Sequence, residues 1–340
     1  MILPIDSIIE ESREYYLKYR QSLAAQILFL PYLGAVEIKK KGSQKYCYIQ
    51  KRANGKKTSA YIGKIDDDRV KKAYYAINKR KAFIEELKIV THTLKKLGHS
   101  LKTVDLTNTI HKLLKLFAKH GLWEQGLEIV GSWCFNIYQI YLGVQDFPLR
   151  TEDLDIAVRL PYKGNKVDIA VLLKSLGFVE DFYPNGVVFY RCEGIRVEFI
   201  VPQKAKGSIS GKISVPELNI SAQPLRFLDI LCSNPMTIKI KGGINVSVPS
   251  PSAFALHKLL IAQRRTDKEK ARKDYIQAYF VLKMLFMEDM SNEIYDVIKT
   301  LHLSWVKKIK SVLNNITIYV PEIEKDTAAH ISEVLSQTIE

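Results

Sequence analysis

The chain has 340 residues, 47% hydrophobic and 26% charged, an ordinary globular balance with room for two domains and a small third module. Its apolar runs are too short to span a bilayer, and its four scattered cysteines (Cys47, Cys134, Cys192, Cys232) match neither a zinc motif nor a disulfide framework. Early acidic residues and the lack of a basic leader read as a cytoplasmic protein with no membrane partner, while a net charge of +15 points to a polyanion.

Helical spacing predicts a helix over 5–28. Between Glu37 and Lys81 stand fifteen Lys or Arg against four Asp or Glu, so most of the excess charge lies in one segment. Within it, Asn54-Gly55 separates two runs, 45–51 and 57–63, and predicts a hairpin with a type I′ turn. That hairpin sets tyrosines among cations: Lys45, Tyr46, Tyr48, Lys51, Arg52, Lys56 and Lys57. Cations neutralise phosphates and aromatic faces stack on bases, which makes these the candidate nucleic-acid contacts. The alternative is a solvated hairpin packed on the next helix through Ile49 and Ile62. Asp66, Asp67 and Asp68 stand at the start of an expected helix over 69–97, where the macrodipole favours acids. A further helix is expected over 105–120, after the break at Gly98-His99-Ser100.

From residue 121 the texture changes to strands alternating with helices. The expected order is strand 127–130, helix 133–142, strand 153–159, helix 167–176, then hairpins of 187–192 with 195–201 and of 236–241 with 244–248. This order predicts a mixed sheet flanked by helices. Past Pro249-Ser250-Pro251 five helices are expected, over 252–264, 268–286, 291–301, 303–313 and 321–338. The fold class is therefore α+β: an N-terminal module of helices and a basic β-hairpin (1–120), a mixed-sheet core (121–250) and a C-terminal helical domain (251–340).

The chemistry concentrates between residues 128 and 158. Asp153 and Asp155, two apart at the head of a strand, point to one side of it. Carboxylates held that close repel unless a cation lies between them, and hard oxygen ligands suit magnesium. Glu198 lies mid-strand in an apolar run, where an unpaired charge is costly, and is the candidate third acid, as metal ligand or base. Solvated strand-edge aspartates, with Glu198 paired to Arg191 or Arg196, are the bland alternative. Gly131-Ser132, between a strand and a helix, offers backbone N–H groups and a hydroxyl to a phosphate. Lys258 and Arg265, seven apart, are expected on one helical face, where they would neutralise a triphosphate; a solvated basic face is the alternative. Asp274 would orient such a cation or cap its helix. These parts suggest metal-dependent phosphoryl or nucleotidyl transfer.

The order Gly131-Ser132, helix, Asp153-x-Asp155 and a later-strand acid resembles the nucleotidyltransferase superfamily with the DNA-polymerase-beta-like fold. The run Leu149-Arg150-Thr151-Glu152-Asp153-Leu154-Asp155 looks like the branch of abortive-infection nucleotidyltransferase toxins and their bacterial relatives. So do Phe254 to Leu259 and the stretch from Arg264-Arg265 to Lys273-Asp274. The likeness covers about 128–282. It implies two Mg²⁺ ions, an NTP substrate, transfer of a nucleoside monophosphate and departure of pyrophosphate. Carried over residue by residue, Asp153, Asp155 and Glu198 hold the metals, and Glu198 also activates the acceptor. Gly131, Ser132 and Arg150 meet the nucleotide, while Lys258, counted among the catalytic groups, and Arg265 meet its triphosphate. The branch also implies a cognate antitoxin as partner. Twenty residues separate Ser132 from Asp153, a longer gap than many members have, and 143–148 reads as an inserted loop that would reshape the pocket. The basic module makes RNA, a tRNA end for instance, the expected acceptor in preference to DNA, with a protein hydroxyl as the other candidate. Two rivals stay open: a non-catalytic nucleic-acid-binding protein on this fold, and a small-molecule nucleotidyltransferase.

Overall fold

The computed structural model describes residues 5–30, 34–53, 56–98, 106–142, 144, 153–192, 195–203, 211–321 and 323–337. The chain divides into two units, Met1–His111 with Lys239–Ile244, and Lys112–Ile238 with Asn245–Glu340.

The first unit opens with helix α1 (Ile5–Phe29) and an antiparallel sheet of β1 (Ala35–Lys41), β2 (Gln44–Ala53) and β3 (Lys56–Lys64), in that order, followed by α2 (Asp68–Lys96). Asp67 caps α2, accepting a hydrogen bond from the Arg69 N–H, and Lys95 and Lys96 close its last turn, as the macrodipole favours. Pairing of Val36 with Ile49 and of Ile38 with Cys47 puts apolar residues on one face of the sheet. There Ile49, Val36 and Ile62 pack on Ala73 and Ile77 of α2. Farther along α2, Val90 and Leu94 pack with Leu23 of α1. The expected hairpin is thus two strands of three. β1 escapes sequence reading because Lys39, Lys40 and Lys41 blur the alternation of Val36 and Ile38. The Asn54-Gly55 turn lies outside the described residues, as do the side chains of Lys51, Arg52 and Lys56.

Helix α3 (Leu106–Lys119) leads to β4 (Leu127–Val130), α4 (Ser132–Tyr141), β5 (Asp153–Val158), α5 (Ile169–Ser175), β6 (Val179–Phe182), β7 (Val188–Cys192) and β8 (Ile195–Pro202). Then come β9 (Ile213–Val215), β10 (Ile220–Leu225), α6 (Leu228–Ser233), β11 (Pro235–Ile240) and β12 (Ile244–Pro249). Among the described residues, helices α7 (Pro251–Ala262), α8 (Lys268–Met287), α9 (Ser291–Thr300), α10 (Leu303–Leu313), α11 (Ile316–Tyr319) and α12 (Lys325–Gln337) follow. The main sheet runs β4-β5-β8-β10-β9, with β7 also paired to β8 and β6 to β7. β5, β8 and β10 are parallel, while β4, β7 and β9 run against their neighbours, so the sheet is mixed.

Helix α7 lies in the same unit as this sheet. All twelve of its residues are buried. Ser250 caps it by accepting from the Ala253 N–H, and Pro251 fits its first turn, where an N–H would find no intrahelical acceptor. The Phe254 ring meets Tyr138 of α4 edge-on at 5.2 Å, and the Tyr138 hydroxyl donates to the Pro249 carbonyl at 2.7 Å. Strands β6, β9 and β10 are additions to the sequence-based order. β10 is masked in sequence by Pro224, a residue that argues against a strand interior.

Candidate active site

β4 is four residues long and wholly buried, and it ends at Gly131 with φ +70° and ψ −154°. That left-handed backbone strains any residue with a Cβ. Space excludes one as well, since a Cβ here would stand 2.1 Å from Oδ2 of Asp155. The turn at Gly131 therefore lies directly against a carboxylate. Ser132 then starts α4, and the N-terminal end of that helix, which has no side-chain cap, presents positive charge to this corner.

On β5, Leu154 is buried and its neighbours Asp153 and Asp155 are half-buried, as strand alternation requires when both acids point to one face. The parallel register with β8 sets Asp153 opposite Arg196 and Asp155 opposite Glu198. Residues paired across adjacent strands share a face, so the three acids and Arg196 form one patch, with strands about 4.8 Å apart. Arg196 reaches to 3.6 Å from Asp153 and 3.7 Å from Glu198. Its guanidinium lies over the Phe189 ring, 4.9 Å from the centroid, and donates to the Tyr183 hydroxyl at 3.0 Å. Tyr183 in turn donates to Oε1 of Glu198.

The electrostatics report the same crowding. Burial pushes the Asp155 carboxyl well above its usual range, and the charges of Asp153 and Glu198 push it further, against Lys258 and Lys273. Glu198 is also raised, by burial and then by Asp153, with the Tyr183 hydrogen bond and Arg196 opposing. Burial and the neighbouring charges raise the proton affinity of Asp155 and Glu198, and these two with Asp153 form a hard-oxygen donor set that a dication would relieve and that fits magnesium in chemistry. As the side chains stand, no group of three or more His, Cys, Asp or Glu among the described residues is arranged so that it could hold a metal ion.

The cationic side comes from α7 and α8. Lys258 is buried, 2.5 Å from Oδ1 of Asp274, while Nε of Arg265 donates to Oδ2 of the same carboxylate at 3.0 Å. Burial alone would raise the Asp274 pKa, but Lys258 and Arg265 hold it below the ordinary value. The ammonium of Lys273 is pulled down to about 8 by burial and by Lys258, against the attraction of Asp274, Asp155 and Asp153. Lys258 and Arg265 are associated, yet not by sharing a helical face. α7 ends at Ala262, and Arg265 returns to Lys258 through Asp274 on the next helix. At the carboxyl ends of β8 and β10 a cleft of about 350 Å³ is lined by Gln203, Arg226, Arg264 and Arg265 among others.

The structure thus brings Gly131, Ser132, Asp153, Asp155, Glu198 and Lys258 into one region, with Arg265 joined to it through Asp274. Arg150 lies outside the described residues. Sequence reading missed Lys273 and Tyr183 as members. Lys273 left a signal, a Lys-Asp pair ahead of the apolar stretch 275–286, whereas Tyr183 left none.

The family model for a nucleotidyltransferase matches residues 108–302, more than half of the chain. No curated protein matches the sequence. A distant structural likeness is to the crystal structure of an antigenic nucleotidyltransferase-like protein from Paracoccidioides brasiliensis, at 13% identity and a TM-score of 0.37, covering 66% of this chain and 93% of that one. With the match extending from α3 to the start of α10, and the acids, the Gly-Ser turn and the cationic helices all inside it, the chain belongs to the nucleotidyltransferase family.

Proposed function

We propose that the protein moves a nucleoside monophosphate from an NTP to a hydroxyl acceptor, with Mg²⁺ held by Asp153, Asp155 and Glu198. Bound there, the ions would supply Lewis-acid stabilisation of the phosphoryl oxygens and of the departing pyrophosphate. The observation that carries this reading is the register of β5 on β8, which sets Asp155 beside Glu198 with Asp153 on the same face.

The acceptor oxygen attacks the α-phosphorus, a new P–O bond forms, and the bond to pyrophosphate breaks. The hydroxyl proton passes to the Glu198 carboxylate, which acts as the general base. Tyr183 and Arg196 orient that carboxylate through their hydrogen-bond chain. Ser132 and the first N–H groups of α4 contact the phosphates, an arrangement that helix N-termini favour. Lys258 and Lys273 balance the negative charge of the triphosphate, and Arg265 extends that balance toward the arginine-lined cleft. Asp274 fixes both Lys258 and Arg265 and so acts as a positioning residue. We place an RNA end or a protein hydroxyl as the acceptor.

The test is incubation of the purified chain with each α-³²P-labelled NTP, with Mg²⁺ or with EDTA, and with total RNA, cell protein or small hydroxyl compounds. The expected result is Mg²⁺-dependent label in a macromolecular fraction, lost in Asp155→Asn. Label on no acceptor, with the wild-type chain folded and NTP bound, contradicts the reading.

A further inference from the structure

The outer face of the N-terminal sheet carries chemistry that the transfer reaction does not use. Register places Glu37, Lys39 and Lys41 of β1, Tyr46 and Tyr48 of β2, and Lys57, Tyr61 and Lys64 of β3 on the side away from α2. Lys45 pairs with Lys40 and falls on the other face from Tyr46, so the lysines and tyrosines of the hairpin do not all act together. The tyrosines form a continuous strip, with the Tyr61 centroid 5.4 Å from that of Tyr48 and 6.2 Å from that of Tyr46. A bulge between Cys47 and Tyr48 keeps this strip aligned while Ile62 packs inward. Tyr61 is 54% exposed, far more than a tyrosine built for a core. Lys39 stands over the Tyr48 ring at 4.6 Å, and Lys57 and Lys64 are exposed on the neighbouring strand. At one end Glu37 accepts from the Ser59 hydroxyl at 3.2 Å and is also held by Gln50.

We infer that this face binds single-stranded RNA, stacking unpaired bases on Tyr46, Tyr48 and Tyr61 while Lys39, Lys41, Lys57 and Lys64 neutralise the backbone. An open aromatic strip bordered by lysines matches a strand whose bases are free to leave their stack and whose phosphates follow them. A duplex keeps its bases inside and offers the strip nothing to stack on. The polar group of Glu37, Gln50 and Ser59 can exchange hydrogen bonds with a ribose 2′-hydroxyl, which deoxyribose lacks. That the bound strand is also the acceptor rests on the transfer reading above; the binding itself does not.

The test is fluorescence anisotropy of a labelled fifteen-nucleotide uridine RNA against the full chain, without NTP or divalent metal, so that failure of transfer leaves it unaffected. The strand is expected to bind more tightly than the matching deoxy strand or a duplex, and less tightly as salt rises. Tyr48→Ala with Tyr61→Ala should weaken binding on the order of ten-fold or more, and the paired Phe variants should retain it. Tyr61→Ser, at a half-exposed position, gives the same reading should the double variant unfold. Equal binding by a folded alanine or serine variant, by the duplex, or by the deoxy strand overturns the inference.

Discussion

Gly131 and Asp155 are in contact across the β4–β5 pair, and the missing Cβ of one is the space filled by the carboxylate of the other. Because φ at Gly131 is +70°, Gly131→Ala meets backbone strain and the 2.1 Å clash together. The variant should lose roughly 1–3 kcal/mol of stability from strain. Transfer activity should fall at least about 100-fold, since a displacement of 1 Å can cost that much. Thermal unfolding beside the labelled-NTP assay reads both effects. Wild-type activity in the alanine variant would mean that Asp155 need not sit where the turn holds it.

Lys258 and Asp274 form a buried ion pair, and breaking such a pair from one side is costly. Lys258→Met should destabilise the chain by roughly 3–5 kcal/mol, because the buried Asp274 carboxylate loses the partner of its shorter ion pair. Adding Asp274→Leu should restore part of that loss in a double-mutant cycle by urea unfolding. Activity should not return with stability, since the charge that faces the triphosphate is gone.

Glu128 is buried on β4, its pKa pushed up to about 8 by burial against the attraction of Arg159. Its Oε1 finds no hydrogen-bond partner among the described residues. A carboxyl whose folded pKa lies above its unfolded value contributes stability that is full at low pH and is lost as pH rises through the folded pKa. The wild-type midpoint temperature should therefore fall between about pH 4.5 and pH 8. Glu128→Gln should flatten that decline and melt higher than wild type near pH 8. A variant that follows the wild-type curve would place the loss elsewhere, with Asp155 and Glu198 the next groups to examine.

Much of the core could be read from the chain because strand alternation is a local property. Asp153 and Asp155 must share a face whatever pairs with them, and Glu198 stands out as a charge inside an apolar run. What sequence did not contain was the pairing of β5 with β8, since register between positions forty-three residues apart is set by packing and leaves no local mark. The same holds for Lys258 and Arg265. Their spacing suggested a shared helical face, yet the helix stops at Ala262 and Asp274 brings the two together. Tyr183 reaches Glu198 from the turn after β6, a short strand with no apolar pattern of its own. In the N-terminal unit, the lysines of β1 concealed a strand that the register with β2 makes plain.

The central claim is that three acids from two strands share one cation site. Mn²⁺ binding to the full chain, followed by electron paramagnetic resonance in the presence of a non-hydrolysable NTP, tests it most directly. Wild type should bind the ion, while Asp155→Asn and Glu198→Gln, each folded, should both weaken binding on the order of ten-fold or more, as loss of a ligand requires. Undiminished Mn²⁺ binding by folded Glu198→Gln would contradict the shared site.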